Sequence, residues 1–264
     1  MKKSFTVFIT FLCFLSIDIY SSDTLNVAVH EFCPFLCEGS KENGKEGYVV
    51  EILRDIYEKE GYQLHFHVVS YEEGILGTER GEYDLMPMLN VHSSDKMILS
   101  KKTCAALVQN FYVLKGKNWE YNGIESLQDS KIGTILGYNY SILDTAYEAY
   151  LQENSRTESP TVFYVDTDNS VTTIIEMMKK GEITTFNECS FIVDYLLKKM
   201  NLTEEFKIAG SLGTLNNYIG FSPKRTDSEK LSEMFDTGIQ ELRKTGKLDS
   251  ILNCYHLKDW EIEK

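Results

Sequence analysis

Gly47-Tyr48-Val49-Val50-Glu51-Ile52-Leu53, Leu64-His65-Phe66-His67-Val68-Val69, Gly81-Glu82-Tyr83-Asp84-Leu85-Met86 and Ser93-Ser94-Asp95-Lys96 follow one another within fifty residues. In the first, Val49, Ile52, Leu53, Ile56 and Tyr57 recur at helical spacing, and Gly61 supplies a stop. The second alternates as a half-buried strand does. A short helix over 72–80 and a strand over 84–89 complete a strand–helix–strand rhythm. Upstream, 25–30 alternates as a first strand, followed by a loop over 31–45 with Gly39, Asn43 and Gly44 as turn formers. Such a rhythm predicts right-handed crossovers and a mostly parallel sheet.

Further along, 105–115 is an apolar run that reads as an extended connection, and then the rhythm restarts. Strands are expected at 131–136, 162–165 and 183–186. Helices are expected at 140–153, from Val171 to a stop at Gly181, and at 191–199. Two crossing segments follow, 206–209 and 218–222. The last long helix, 228–244, buries Leu231, Met234, Phe235, Ile239 and Leu242, and Gly246-Lys247-Leu248 starts a final helical turn. The restart predicts two α/β units.

In their order and spacing these pieces resemble family 3 of the bacterial extracellular solute-binding proteins, the polar-amino-acid class. The family's signals are a Gly-Phe-x-x-Asp-Leu helix start, a Gly-x-x-Asp-Leu turn into a strand, and a Thr-x-Glu-Arg loop. The resemblance covers nearly all of the chain after its first segment. It implies the type 2 periplasmic binding fold: two Rossmann-like lobes with mostly parallel sheets and a two-segment hinge. It also implies a discontinuous first lobe, 23–112 plus 218–264, with the second lobe at 113–217. The implied function is capture of a small polar solute, amino-acid-like or related, for an ABC permease, by a monomer that needs no cofactor and performs no catalysis. The same fold also hosts exported dehydratase-like enzymes, for which Glu188 or His92 would be the acid–base candidates, and ligand sensors for signalling partners.

The first 22 residues read as an export signal: Lys2 and Lys3, an apolar 5–17, then Ser21 and Ser22. Leu12 ahead of Cys13 does not fit a lipoprotein cleavage site. A periplasmic or secreted location is therefore expected. The net charge of −13 disfavours nucleic acid and anionic lipid as partners. Of six cysteines, loss of Cys13 with the signal leaves five, an odd number in a compartment that permits disulfides. Cys33 and Cys37 are close enough to pair, or with His30 to offer metal ligands. His65 and His67 share a strand face without a recognised metal spacing.

In open α/β sheets, ligands bind beyond the carboxyl ends of the strands. The resemblance places Phe35 and Tyr71 as cleft aromatics, with Asn90 in the loop after the third strand. Lys96 stands where amino-acid binders carry a carboxylate-gripping arginine; it keeps the charge and loses the two-pronged fork. Val91 replaces a hydroxyl residue. Tyr138, Asn139 and Tyr140 occupy the turn whose backbone N–H groups meet the ligand anion. Cys189 takes the place of the acid that holds the α-ammonium, with Glu188 beside it. These departures put an ordinary α-amino acid in doubt as the ligand.

Overall fold

The computed structural model describes residues 23–167 and 169–261. The expected export signal, residues 1–22, lies outside the described residues. Strand β1 (Thr24–Val29) buries Leu25, Val27 and Ala28 completely. Helix α1 (Tyr48–Tyr57) turns its apolar stripe to the same core and extends by one 3-10 turn to Gly61, which adopts φ 88. Then come β2 (Gln63–Val68), α2 (Tyr71–Arg80) and β3 (Leu85–Leu89). Ser70 starts α2 by accepting the Glu73 N–H at 3.2 Å. Asp84 explains the turn into β3: its Oδ2 accepts the Asn26 N–H at 2.7 Å and its Oδ1 pairs with Arg225 at 3.1 Å. Strand β4 (Ile98–Leu99) is short, and β5 (Ala105–Leu114) crosses to the second unit.

That unit contains β6 (Ile132–Ile135), α3 (Thr145–Ser155), β7 (Val162–Val165), α4 (Ser170–Lys179), β8 (Thr185–Cys189) and α5 (Ser190–Lys199). Strand β9 (Phe206–Phe221) returns, and α6 (Ser228–Lys244) and α7 (Lys247–Cys254) close the chain. The strand order is β2-β1-β3-β9-β5-β8-β6-β7, with β4 on β9. Within each unit the strands run parallel: β1 with β2 and β3, β6 with β7 and β8. Every antiparallel pair involves β5 or β9. The protein is thus two parallel α/β units joined through a crossing antiparallel pair.

Helices α6 and α7 pack their Leu231, Phe235, Ile239, Leu248 and Leu252 into the core that holds β1 and α1. Tyr255 ties this tail to the start of α1, accepting the Gly47 N–H at 2.9 Å and donating to Glu51. Three elements depart from the sequence reading. The two expected crossing segments are one sixteen-residue strand, β9. Helix α3 begins at Thr145 instead of near 140, because the Asp144 carboxylate accepts the N–H groups of Ala146 and Tyr147. Strand β8 runs on through Cys189, which places Glu188 inside a strand end and not at a helix start.

Candidate functional site

A cavity of about 460 Å³ opens between the two units, at the carboxyl ends of the parallel strands. The first unit contributes His30, Glu31 and Phe32 from the loop after β1, Tyr71 from the start of α2, and Met88 and Asn90 from the end of β3. Met88 has φ 65, a left-handed conformation that a non-glycine residue rarely adopts, at an irregularity in the β3–β9 ladder. Tyr71 shares a 2.8 Å hydrogen bond with Ser93, whose hydroxyl also accepts the Asn90 N–H at 3.0 Å. The His30 ring meets Tyr71 edge-on at 5.1 Å and stacks on Phe32 at 5.8 Å. Burial pushes His30 down to about 4, so the imidazole is neutral at physiological pH.

The second unit supplies the turn after β6, with Tyr138, Asn139 and Tyr140, and the buried Glu188. Glu188 Oε1 accepts the Cys189 N–H at 2.6 Å, yet burial outweighs that bond and raises the carboxyl to about 7. Its charge adds to the burial that keeps the phenols of Tyr138 and Tyr140 protonated. The crossing strands form the floor: Leu107 and Gln109 of β5, Leu215 and Asn217 of β9.

Tyr71, Asn90, Tyr138, Asn139, Tyr140 and Glu188 therefore lie around one cavity, whereas Phe35 and Lys96 do not. Phe35 is fully buried, behind Phe32. The Cys33–Cys37 disulfide and the turn in which Phe35 and Leu36 donate to the Phe32 carbonyl fold the loop back, so Phe35 stacks inward on Phe32 and Phe191. Phe32 is the ring that faces the cavity. Lys96 points away, to Glu79 at the end of α2, at 2.7 Å, because Ser94 bonds the same carboxylate and turns the loop outward. The disulfide also removes Cys33 and Cys37 as metal ligands. Among the described residues, no group of three or more His, Cys, Asp and Glu side chains is arranged to hold a metal.

The floor residues escaped the sequence reading. Gln109 and Asn217 are 7% and 3% exposed, within segments read as mere connections. A polar pair inside an apolar strand run, as in Val108-Gln109-Asn110-Phe111, was the available signal, since buried polar groups need a partner.

The profile of the bacterial extracellular solute-binding proteins, family 3, matches residues 25–258. The chain belongs to that family. No curated protein matches this family 3 protein in sequence. Solved structures share its fold at low identity. A probable amino-acid ABC transporter extracellular-binding protein of Bacillus subtilis superposes with a TM-score of 0.69 at 18% identity, over 90% of this chain and 100% of the other. The L-cystine solute receptor of Neisseria gonorrhoeae, unliganded and open, gives 0.65 at 18% identity, over 89% and 93%. A histidine kinase sensor domain with similarity to periplasmic binding proteins gives 0.60 at 16%, over 90% and 98%. The family 3 protein is accordingly a solute-binding protein. None of its described helices is long and apolar enough to cross a membrane.

Proposed function

We propose that this solute-binding protein, exported through its first 22 residues, captures a small polar solute between its two units outside the cytoplasm and delivers it unchanged to an ABC permease. The units act as lobes, 23–112 plus 218–264 and 113–217, hinged at β5 and β9. The observation that carries this reading is a cavity lined from both units at the carboxyl ends of their parallel strands, with aromatic rings and a buried carboxyl around it. Hinge closure around a ligand, as in periplasmic binding proteins, would complete the burial of a solute held there.

A bound solute should raise the melting temperature by mass action and alter tyrosine emission, since Tyr71, Tyr138 and Tyr140 line the cavity. Trp119 sits apart, donating to the Ser126 carbonyl at 3.0 Å, so tryptophan emission is the poorer probe. A panel of amines, amino acids, small peptides and organic acids that produced no thermal shift would remove the basis for capture. Chemistry on the solute is the weaker reading: His92, the other acid–base candidate, is exposed and its N–H donates to Asn90, outside the cavity lining. A sensing role would use the same site with a different partner. A permease and an ATPase encoded beside the gene would support transport, and a receptor kinase there would support sensing.

A further inference from the structure

The charge pattern of the cavity narrows the solute class, on the footing that the cavity is the capture site. Among the described residues no lysine or arginine lines it, and His30 is neutral. The charged groups present are carboxylates: Glu188, buried, and Glu31, exposed at the rim.

Several of the backbone donors around the cavity are already engaged within the protein. In the turn after β6, the Tyr138 N–H donates to the Ile135 carbonyl, the Tyr140 N–H to Glu148 Oε2 at 2.8 Å, and the Ser141 N–H to Asn139 Oδ1 at 2.9 Å. The start of α3 is likewise filled by Asp144, and the Cys189 N–H at the start of α5 by Glu188. On the opposite wall, Ser93 takes the Asn90 N–H and Asn90 takes the His92 N–H. An anion entering here would lose its hydration, find the N–H groups of Tyr138, Tyr140, Cys189 and Asn90 already bonded to the protein's own oxygens, and face Glu188.

A cation meets the reverse situation. Glu188 offers a charge partner, the aromatic rings of Tyr71 and Tyr138 line the same cavity, and Gln109 has a buried Oε1 to which nothing in the protein donates. That unpartnered acceptor calls for a donor, which an N–H on a cation would supply. We propose that the solute is an organic cation bearing N–H groups and no carboxylate, an alkyl amine or guanidine, held with its charge against Glu188.

Matched pairs that differ by one α-carboxylate test this directly: agmatine against L-arginine and putrescine against L-ornithine, by titration calorimetry at pH 8. The decarboxylated member should bind at least tenfold more tightly in each pair, and choline, a cation without N–H, more weakly than either amine. Glu188→Gln should cost the amine at least tenfold, with circular dichroism unchanged, while Lys96→Ala leaves affinity as it was. Binding of the amine should weaken as pH falls below 7, as Glu188 takes up a proton. The groups around it do not change state there: Tyr112, Tyr138 and Tyr140 are pushed up by burial, Cys189 to about 12. Asp194 acts electrostatically on Tyr112 and Cys189, and Glu148 on Tyr140, and Glu31→Gln separates the rim carboxylate from Glu188. Equal or tighter binding of the amino acids, or loss of the pH dependence in Glu31→Gln but not in Glu188→Gln, would overturn the proposal and leave solute capture standing. Tight binding of a neutral or anionic solute, with both amines silent, would do the same. Silence of every solute would overturn both readings.

Discussion

Glu188 lines the cavity and is also a source of instability in the fold. A carboxyl with an ordinary value of 4.5 is raised to about 7 by burial, so its ionisation is penalised in the folded protein. The sign follows: the penalty is absent below 4.5, grows as pH rises, and is complete above 7, where it amounts to about 3 kcal/mol. Gln can still accept the Cys189 N–H and carries no charge. Glu188→Gln should therefore be the more stable protein by up to about 3 kcal/mol in urea at pH 8, and no more stable at pH 4. Equal stability at both pH values would show that the carboxyl is hydrated and not desolvated. His30 acts in the opposite sense, losing stability for the fold as pH falls from 6.5 toward 4, so the comparison with Glu188→Gln is needed to isolate Glu188. At this scale the sequence was only partly legible. Tyr71, Asn90, the Tyr138–Tyr140 turn and Glu188 could be placed beside the cavity because loops at strand ends follow from the rhythm. Phe35 and Lys96 could not be placed, because a disulfide-folded loop and a competing Glu79 decide where those side chains point.

The elements nearest the cavity depend on two local devices. Gly47 precedes α1 with φ 99, and a Cβ there would come within 2.7 Å of Leu36 Cα and would also meet the Phe35 carbonyl. Gly47→Ala should cost more than about 2 kcal/mol in chemical unfolding, from left-handed strain plus a clash with backbone that cannot move aside. A loss of a few tenths would show that the 31–46 loop adapts freely. That loop is also clipped by the Cys33–Cys37 disulfide. The cross-link closes a very short loop, so its removal by Cys33→Ser with Cys37→Ser should lower stability by only about 2 kcal/mol on chain-entropy grounds. Solute binding should fall as well, since Phe32 lies at the base of the clip. Unchanged affinity in the double variant would separate the clip from the site. The helices and parallel strands were legible because their periodicities are strong. Strand β9 was not legible as one element: Gly210 and Gly213, at φ 133 and 148, with Ser211 between them, interrupt its alternation. Its pairing with β5 holds it together where its own pattern does not.

For the molecule as a whole, β5 and β9 join two units that each have their own core. Contacts across the units beyond the strands are present as well. Glu42, in the loop before α1, pairs with Lys199 at 2.8 Å and accepts a hydrogen bond from Tyr195, both on α5. Ile192 and Tyr195 of α5 are buried with the core of the first unit. The two units were legible from the restart after residue 115, and the return of α6 and α7 to the first unit followed from family resemblance, since composition carries no sign of it. The floor of the cavity stayed hidden because crossing strands read as connectors. The central claim is that the two units close on a solute, and small-angle scattering tests it most directly. With any solute that raises the melting temperature at saturation, the radius of gyration should fall and the scattering curve should shift toward a more compact particle. Curves that stay superimposable with and without every such solute would contradict it.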